Sequence, residues 1–211
     1  MTSSELARPT ASQIAWKDLE CGMFLHLEHA KESKPGEKVP PAAEFNPEKL
    51  DTDQWMEAAK AFGARIAVFT AKHAGGFCMW PTEGLDYGVK QSSFRGGKGD
   101  IVGEFVNSCH KYGIEPGIYV MYQPNYYHGW IGREWTGTNE GFEEYQQIFE
   151  IQLTELCTRY GKLAELWFDG GFPTEEGVWR YGYDNYPRGP RVTEILEEQA
   201  TEILKQQTCN R

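Results

Sequence analysis

Residues 51–73, DTDQWMEAAKAFGARIAVFTAKH, carry the clearest helix–strand pattern of the sequence. Asp51 can cap a helix, with Gln54 three residues later in the capping-box position. The apolar face of that helix is predicted from four residues at helical spacing: Trp55, Ala58, Ala59 and Phe62. Gly63 is a typical helix stop, and the β-branched and aromatic run after it predicts a strand that ends on His73.

The same helix–glycine–strand unit occurs twice more, at residues 100–122 and 141–170. The predicted apolar stripes of these two helices are Val102, Phe105, Val106 and Cys109 in the first, and Phe142, Tyr145, Phe149, Leu153 and Leu156 in the second. Asp100 is the predicted cap of the first of these helices, and Gly113 and Gly161 are the predicted helix stops. A strand at 21–28 precedes the three units, and a periodic stretch at 191–207 predicts a further helix.

Strands and helices therefore alternate, which is typical of an α/β protein with a parallel sheet. The long connections all follow strands, at 29–50, 74–99, 123–140 and 171–190, as in barrels whose loops build the active site. No glycine-rich phosphate loop follows a strand, which favours a (β/α) TIM-barrel type over a doubly wound sheet.

A complete barrel takes about 250 residues. We therefore expect one domain, 1–211, with an incomplete barrel of about four to five βα units, truncated at the C-terminus. Open sheet edges would expose backbone groups, so we expect self-association to cover them.

Composition excludes several function classes. The net charge of −10 and the lack of a basic stripe argue against a nucleic-acid partner, and no apolar run is long enough for a membrane span. The first 20 residues lack the pattern of a secretory signal, so we expect a cytoplasmic location.

The five cysteines show no CxxC spacing, which argues against a zinc motif. The 7 Trp, 11 Tyr and 11 Phe suit a cleft that stacks on sugars.

Four polar side chains lie at or near the ends of the four predicted strands: His26, His73, Tyr122 and Asp169. A barrel would bring them to one pocket. Two chemistries fit the set. His26, His73 and Asp169 could ligate a metal ion, or Asp169 could be one of the two carboxyl groups of a glycoside hydrolase.

The blocks FNPEKLDTDQW (45–55) and GARIAVFTAKHAGGFCMWPTEGLDYGV (63–89) resemble the α-L-fucosidases of glycoside hydrolase family 29. GMFLH (22–26), DIVGEFVNSCHKYGIEPGIY (100–119) and ELWFDG (165–170) extend the resemblance in the same order. It implies a retaining glycosidase on a (β/α) barrel, with no cofactor and no metal. The implied substrate is a fucosylated glycan or a small fucoside carrying terminal α-L-fucose.

The resemblance also implies residue roles. Asp169 falls on the family's nucleophile, and His26 and His73 fall on histidines that bind fucose hydroxyls. Trp80 falls on a tryptophan near the sugar pocket. A tyrosine of the third strand falls near Tyr119 or Tyr122, and we favour Tyr122 because it lies nearer the strand end.

The sequence departs from the family's K-H-H-D-G-F motif, with Ala74 and Gly75 in place of the second histidine and the aspartate. The residues after His26 also differ, and Glu28 or His29 are candidates to compensate. The family's acid/base residue is expected beyond residue 211, and Glu175 and Glu176 are the nearest local carboxyl groups. The alternative to an active glycosidase is a catalytically impaired homologue that binds fucose or another carbohydrate.

Overall fold

The computed structural model describes residues 8–29, 39–121, 130–131, 134–135 and 139–169. Six strands and four α-helices lie in these ranges. In chain order they are α1 (Ala11–Lys17), β1 (Gly22–Leu25), α2 (Thr52–Phe62), β2 (Ile66–Lys72), α3 (Ile101–Tyr112), β3 (Glu115–Met121), β4 (Trp130–Ile131), β5 (Glu134–Trp135), α4 (Asn139–Arg159) and β6 (Glu165–Asp169). Three single-turn helices, Ala42–Glu44, Val89–Gln91 and Phe94–Gly97, lie in the connections.

Four strands form one parallel sheet in the order β1–β2–β3–β6, and β4 pairs with β5 separately as a short antiparallel ladder. Because α2, α3 and α4 connect successive strands of the larger sheet, the described chain consists of consecutive βα units of a barrel. The prediction of a TIM-barrel-type α/β fold is confirmed, and the described residues supply four strands of the sheet.

The helix boundaries follow from the predicted capping groups. The Asp51 carboxylate accepts hydrogen bonds from the backbone N–H groups of Asp53 and Gln54, and Asp100 accepts one from Gly103. Gly63, Gly113 and Gly161 adopt φ values of 91°, 71° and 74°. Glycine adopts this left-handed conformation without a Cβ penalty, so α2 and α3 end directly before their glycines, and α4 ends at Arg159, two residues before Gly161.

The predicted stripe of α3 is confirmed, because Val102, Phe105, Val106 and Cys109 are all buried. The stripe predicted for α2 is wrong in part. Phe62 is 64% exposed and Ala58 is exposed, whereas Thr52, Met56 and Ala59 are buried. The core-facing side of α2 is therefore rotated towards Met56, since residues 52, 56 and 59 share one face.

The helix that precedes β6, α4, buries Phe149, Leu153 and Leu156 as predicted. The side chains of Phe142 and Tyr145, and the helix predicted at 191–207, lie outside the described residues. No helix in the described part of the chain is long and apolar enough to cross a membrane. Cys109 and Cys157 are both buried.

The two faces of the sheet differ. Alternate residues facing the helices belong to one large core cluster, whereas Ile66, Val68 and Tyr119 form a small cluster on the opposite face. Phe24 and Trp167 meet edge to face there, with ring centroids 5.4 Å apart, and are 44% and 46% exposed. This second face is the one that turns towards the interior in a closed barrel.

Candidate active site

The first side chains of the site lie just beyond the C-terminal end of β1. The Thr70 hydroxyl, fully buried in β2, accepts a hydrogen bond from the Leu27 N–H at 3.1 Å and lies 3.3 Å from the Leu27 carbonyl oxygen, to which it can donate. This side-chain clamp fixes the backbone between His26 and Glu28. Both of those side chains are thereby held beside the end of β2, where His73 follows the last residue of the strand.

Glu28 is the centre of the contacts. Its Oε2 lies 3.1 Å from His73 Nδ1 and 3.4 Å from His26 Nε2, and its Oε1 accepts a hydrogen bond from the Gly75 N–H at 2.7 Å. Burial favours a raised pKa for Glu28, but the hydrogen bonds from His73 and Gly75 outweigh it and lower the pKa below its ordinary value. Glu28 is therefore an ionised acceptor at neutral pH.

The state of Glu28 determines the tautomer of neutral His73. An ionised carboxylate can only accept hydrogen bonds, so His73 carries its proton on Nδ1 when it donates to Glu28. The other ring nitrogen, Nε2, is then an acceptor suited to a ligand hydroxyl. The His26 and His73 rings lie edge to face at 4.5 Å, so the two imidazoles form one continuous surface.

The site continues across the sheet to β6. The His73 ring stacks on Tyr119 with centroids 5.6 Å apart and an interplanar angle of 27°. The Tyr119 hydroxyl donates to Asp169 Oδ2 at 2.7 Å. Burial and the neighbouring Asp169 carboxylate raise the pKa of Tyr119 well above its ordinary value, so Tyr119 stays a donor throughout the physiological range.

The predicted convergence is therefore observed for three of the four strand-end groups. His26, His73 and Asp169 lie on one chain of contacts that runs from Glu28 through Tyr119. Tyr122 lies outside the described residues, and Tyr119 is the third-strand tyrosine that contacts Asp169. The alternation of side chains along β3 could have identified Tyr119. Ile118 and Val120 face the helices, so residue 119 must face the opposite side of the sheet.

Trp80 has different surroundings. Its side chain is fully buried, and its indole N–H donates to Glu155 Oε2 on α4 at 2.8 Å. Glu155 Oε1 also accepts the Glu83 N–H at 2.9 Å. Trp80 thus anchors the loop after β2 to a helix, and its expected contact with a sugar stays a prediction. Glu175 and Glu176 lie outside the described residues.

A protein-family model for α-L-fucosidase matches residues 12–209. Alpha-L-fucosidase 1 of Arabidopsis thaliana is 33% identical over 186 residues, which cover 86% of this chain and 34% of that protein. The chain therefore spans about a third of the length of this curated relative.

Solved structures agree with this similarity. A candidate α-L-fucosidase from Bacteroides thetaiotaomicron superposes with a TM-score of 0.74 at 36% identity, covering 92% of this chain and 45% of the other. A bacterial fucosidase bound to a monovalent iminocyclitol inhibitor gives a TM-score of 0.63 at 25% identity, covering 79% and 42%. The family model matches most of the chain, including His26, His73 and Asp169, and the sequence relative and solved structures agree with it: the chain belongs to the α-L-fucosidase family, glycoside hydrolase family 29.

Proposed function

We propose that this chain acts as a retaining α-L-fucosidase that cleaves terminal α-L-fucose from glycoconjugates or oligosaccharides. The observation that carries the proposal is the Tyr119–Asp169 hydrogen bond at the C-terminal end of the sheet, beside the imidazole of His73. Family membership supplies the reaction class, and the geometry supports the assignment of Asp169 as the nucleophile.

In the first step, a carboxylate oxygen of Asp169 attacks the anomeric carbon and the bond to the aglycone oxygen breaks. The departing oxygen takes a proton from a general acid, and a covalent fucosyl-enzyme ester remains. Water then attacks the same carbon, loses its proton to the group that acted as acid, and releases fucose and the Asp169 carboxylate.

Tyr119 contributes to both steps. Its hydroxyl donates a hydrogen bond to Oδ2 of Asp169, which holds the carboxylate in one orientation. The same hydrogen bond stabilises the carboxylate that re-forms in the second step, when Asp169 is the leaving group. The Nε2 atom of His73 is suited to accept a hydrogen bond from a fucose hydroxyl, since Nδ1 is directed at Glu28.

A second candidate function is carbohydrate binding with impaired turnover. The specific observation in its favour is that Gly75 and Ala74 replace two side chains of the family motif, while the Gly75 N–H is engaged by Glu28. A site altered in this way loses sugar contacts of the ordinary family pattern while retaining the two imidazoles.

Hydrolysis of 4-nitrophenyl α-L-fucoside by the parent and by Asp169→Ala distinguishes the two functions. Release by the parent that disappears in the variant is the expected result. No release, together with L-fucose binding in calorimetry, would replace the first function by the second. Neither release nor binding by folded protein would overturn both.

We also infer that copies of the chain associate through the sheet face that carries Phe24 and Trp167. Both rings are nearly half exposed and contact each other, so their burial would remove apolar surface from water. Light scattering after size-exclusion chromatography should give a mass above that of one chain, and Trp167→Ser should lower it. A concentration-independent monomer would overturn this inference.

A further inference from the structure

Three side-chain atoms with metal-binding chemistry converge at the ends of β1 and β2. His26, Glu28 and His73 each offer one ligand atom, and the three atoms lie within 4.8 Å of one another. We propose that this cluster is a binding site for a divalent transition-metal ion of the zinc class. The resemblance to the fucosidase family implies no metal, and of the three ligands Glu28 is the one that departs from the family pattern.

The spacing of the ligand atoms carries the proposal. Zinc binds nitrogen and carboxylate oxygen at about 2.0–2.2 Å in tetrahedral geometry, which places neighbouring ligand atoms roughly 3.3–3.5 Å apart. Glu28 Oε2 already lies 3.1 Å from His73 Nδ1 and 3.4 Å from His26 Nε2. Two of the three separations therefore need little change, and the ligand atoms of the two histidines lie within 4.8 Å of each other.

The carboxylate is fixed by groups that would not bind the ion. The Gly75 N–H holds Glu28 Oε1 at 2.7 Å, which turns Oε2 towards the two imidazoles. The Thr70 hydroxyl accepts a hydrogen bond from the Leu27 N–H and so fixes the backbone between His26 and Glu28. Such supporting hydrogen bonds orient the ligands of known metal sites, and here they are formed in the free protein.

The donor set selects the class of ion. Two imidazole nitrogens and one carboxylate oxygen match the three-ligand sites in which zinc keeps a fourth position open. Mg²⁺ and Ca²⁺ prefer oxygen ligands and are disfavoured by two nitrogens. The His26 side chain is 44% exposed, so an ion and a water molecule can reach the cluster from solvent.

Binding has a consequence for the histidines. The ion needs the lone pair of His73 Nδ1, so neutral His73 must move its proton to Nε2, the atom otherwise suited to accept a sugar hydroxyl. The metal and a fucoside therefore place opposite demands on the same ring, and we expect them to bind in competition.

Titration calorimetry of the full chain with Zn²⁺ in a non-chelating buffer tests the proposal without any measurement of catalysis. We expect one Zn²⁺ per chain, with affinity weakened at least about tenfold in His73→Ala and in Glu28→Gln. The matched control is His110→Ala, since His110 is exposed on α3, outside the cluster. It should bind as the parent does, and Mg²⁺ should not compete.

Two further measurements examine the fold of the variants and the identity of the metal ligands. Circular dichroism must show that at least one cluster variant retains the parent's fold, and Glu28→Gln is the conservative choice. Co²⁺ bound in place of zinc should absorb without a thiolate charge-transfer band, because the cluster holds no cysteine. Unchanged affinity in a folded cluster variant, equal loss in His110→Ala, or a thiolate band would each overturn the proposal.

Discussion

Replacement of Glu155 by alanine should destabilise the protein strongly, because this one carboxylate joins α4 to the loop after β2. Glu155 is 5% exposed and accepts the Trp80 indole N–H at 2.8 Å and the Glu83 N–H at 2.9 Å. Arg159, one helical turn away, lies 3.0 Å from its Oε1. When Glu155 is removed, the partly exposed Arg159 guanidinium can form hydrogen bonds with water. The buried indole N–H of Trp80 cannot.

The magnitude follows from the groups left behind. A buried donor that loses its acceptor costs about 1–3 kcal/mol. The Trp80 N–H lies at a fully buried side chain and the Glu83 N–H is partly buried, so we expect Glu155→Ala to lower the free energy of unfolding by about 2–4 kcal/mol. That is a large part of the roughly 5–15 kcal/mol that stabilises a typical domain.

Urea unfolding followed by far-ultraviolet circular dichroism, with an unchanged denaturant slope, measures the loss. Glu150→Ala is the matched control, because Glu150 is an exposed glutamate on the same helix, and its effect should stay within about 0.5 kcal/mol. The double variant with Trp80→Phe should lose less than the sum of the single losses, since the hydrogen bond is removed once. Strict additivity, or equal effects of Glu155→Ala and Glu150→Ala, would contradict the role assigned to Glu155.

Other predictions concern the site and the pH dependence of stability. Asp169→Gly should abolish hydrolysis of an aryl fucoside and azide should partly restore it; equal activity in variant and parent would contradict the assignment. His73→Ala should weaken L-fucose binding by about 1–3 kcal/mol in calorimetry, and unchanged affinity would place His73 outside the sugar site. Tyr119→Phe should lower kcat/KM by roughly 10-fold or more, as expected for loss of a hydrogen bond to a charged group. Burial lowers the pKa of Lys72 from 10.5 to about 8. Between these pH values the unfolded chain therefore binds more protons than the folded chain. The unfolding free energy of the parent should therefore rise relative to that of Lys72→Met as pH increases from 8 to 9.5, and a constant difference would contradict the shift.

The architecture was predictable because its signals are local. Asp51 and Asp100 cap helices, and Gly63, Gly113 and Gly161 end them, through contacts within a few residues. Phe62 misled the prediction for α2, since an aromatic at helical spacing need not be buried when Met56 already fills the core side. The order of the strands in the sheet then follows from the short helix-to-strand links.

The site was only partly predictable. The ends of the strands located His26, His73 and Asp169, and strand alternation could have selected Tyr119 over Tyr122. The Glu28–Gly75 contact joins residues 47 positions apart, and the Trp80–Glu155 contact joins residues 75 apart. Such pairings depend on how separate loops fold against one another, which no spacing in a single sequence encodes.

The hydrogen bond between Glu28 and the Gly75 backbone bears on how this sequence can change over evolution. A single mutation that restored the family's aspartate at position 75 would bring a second carboxylate close to Glu28. Neighbouring like charges repel each other. Replacing Glu28 alone would leave the Gly75 N–H and both imidazoles without their shared acceptor. Positions 28 and 75 therefore constrain each other, and a lineage that acquired this pair would have to change both of them to restore the aspartate of the family motif.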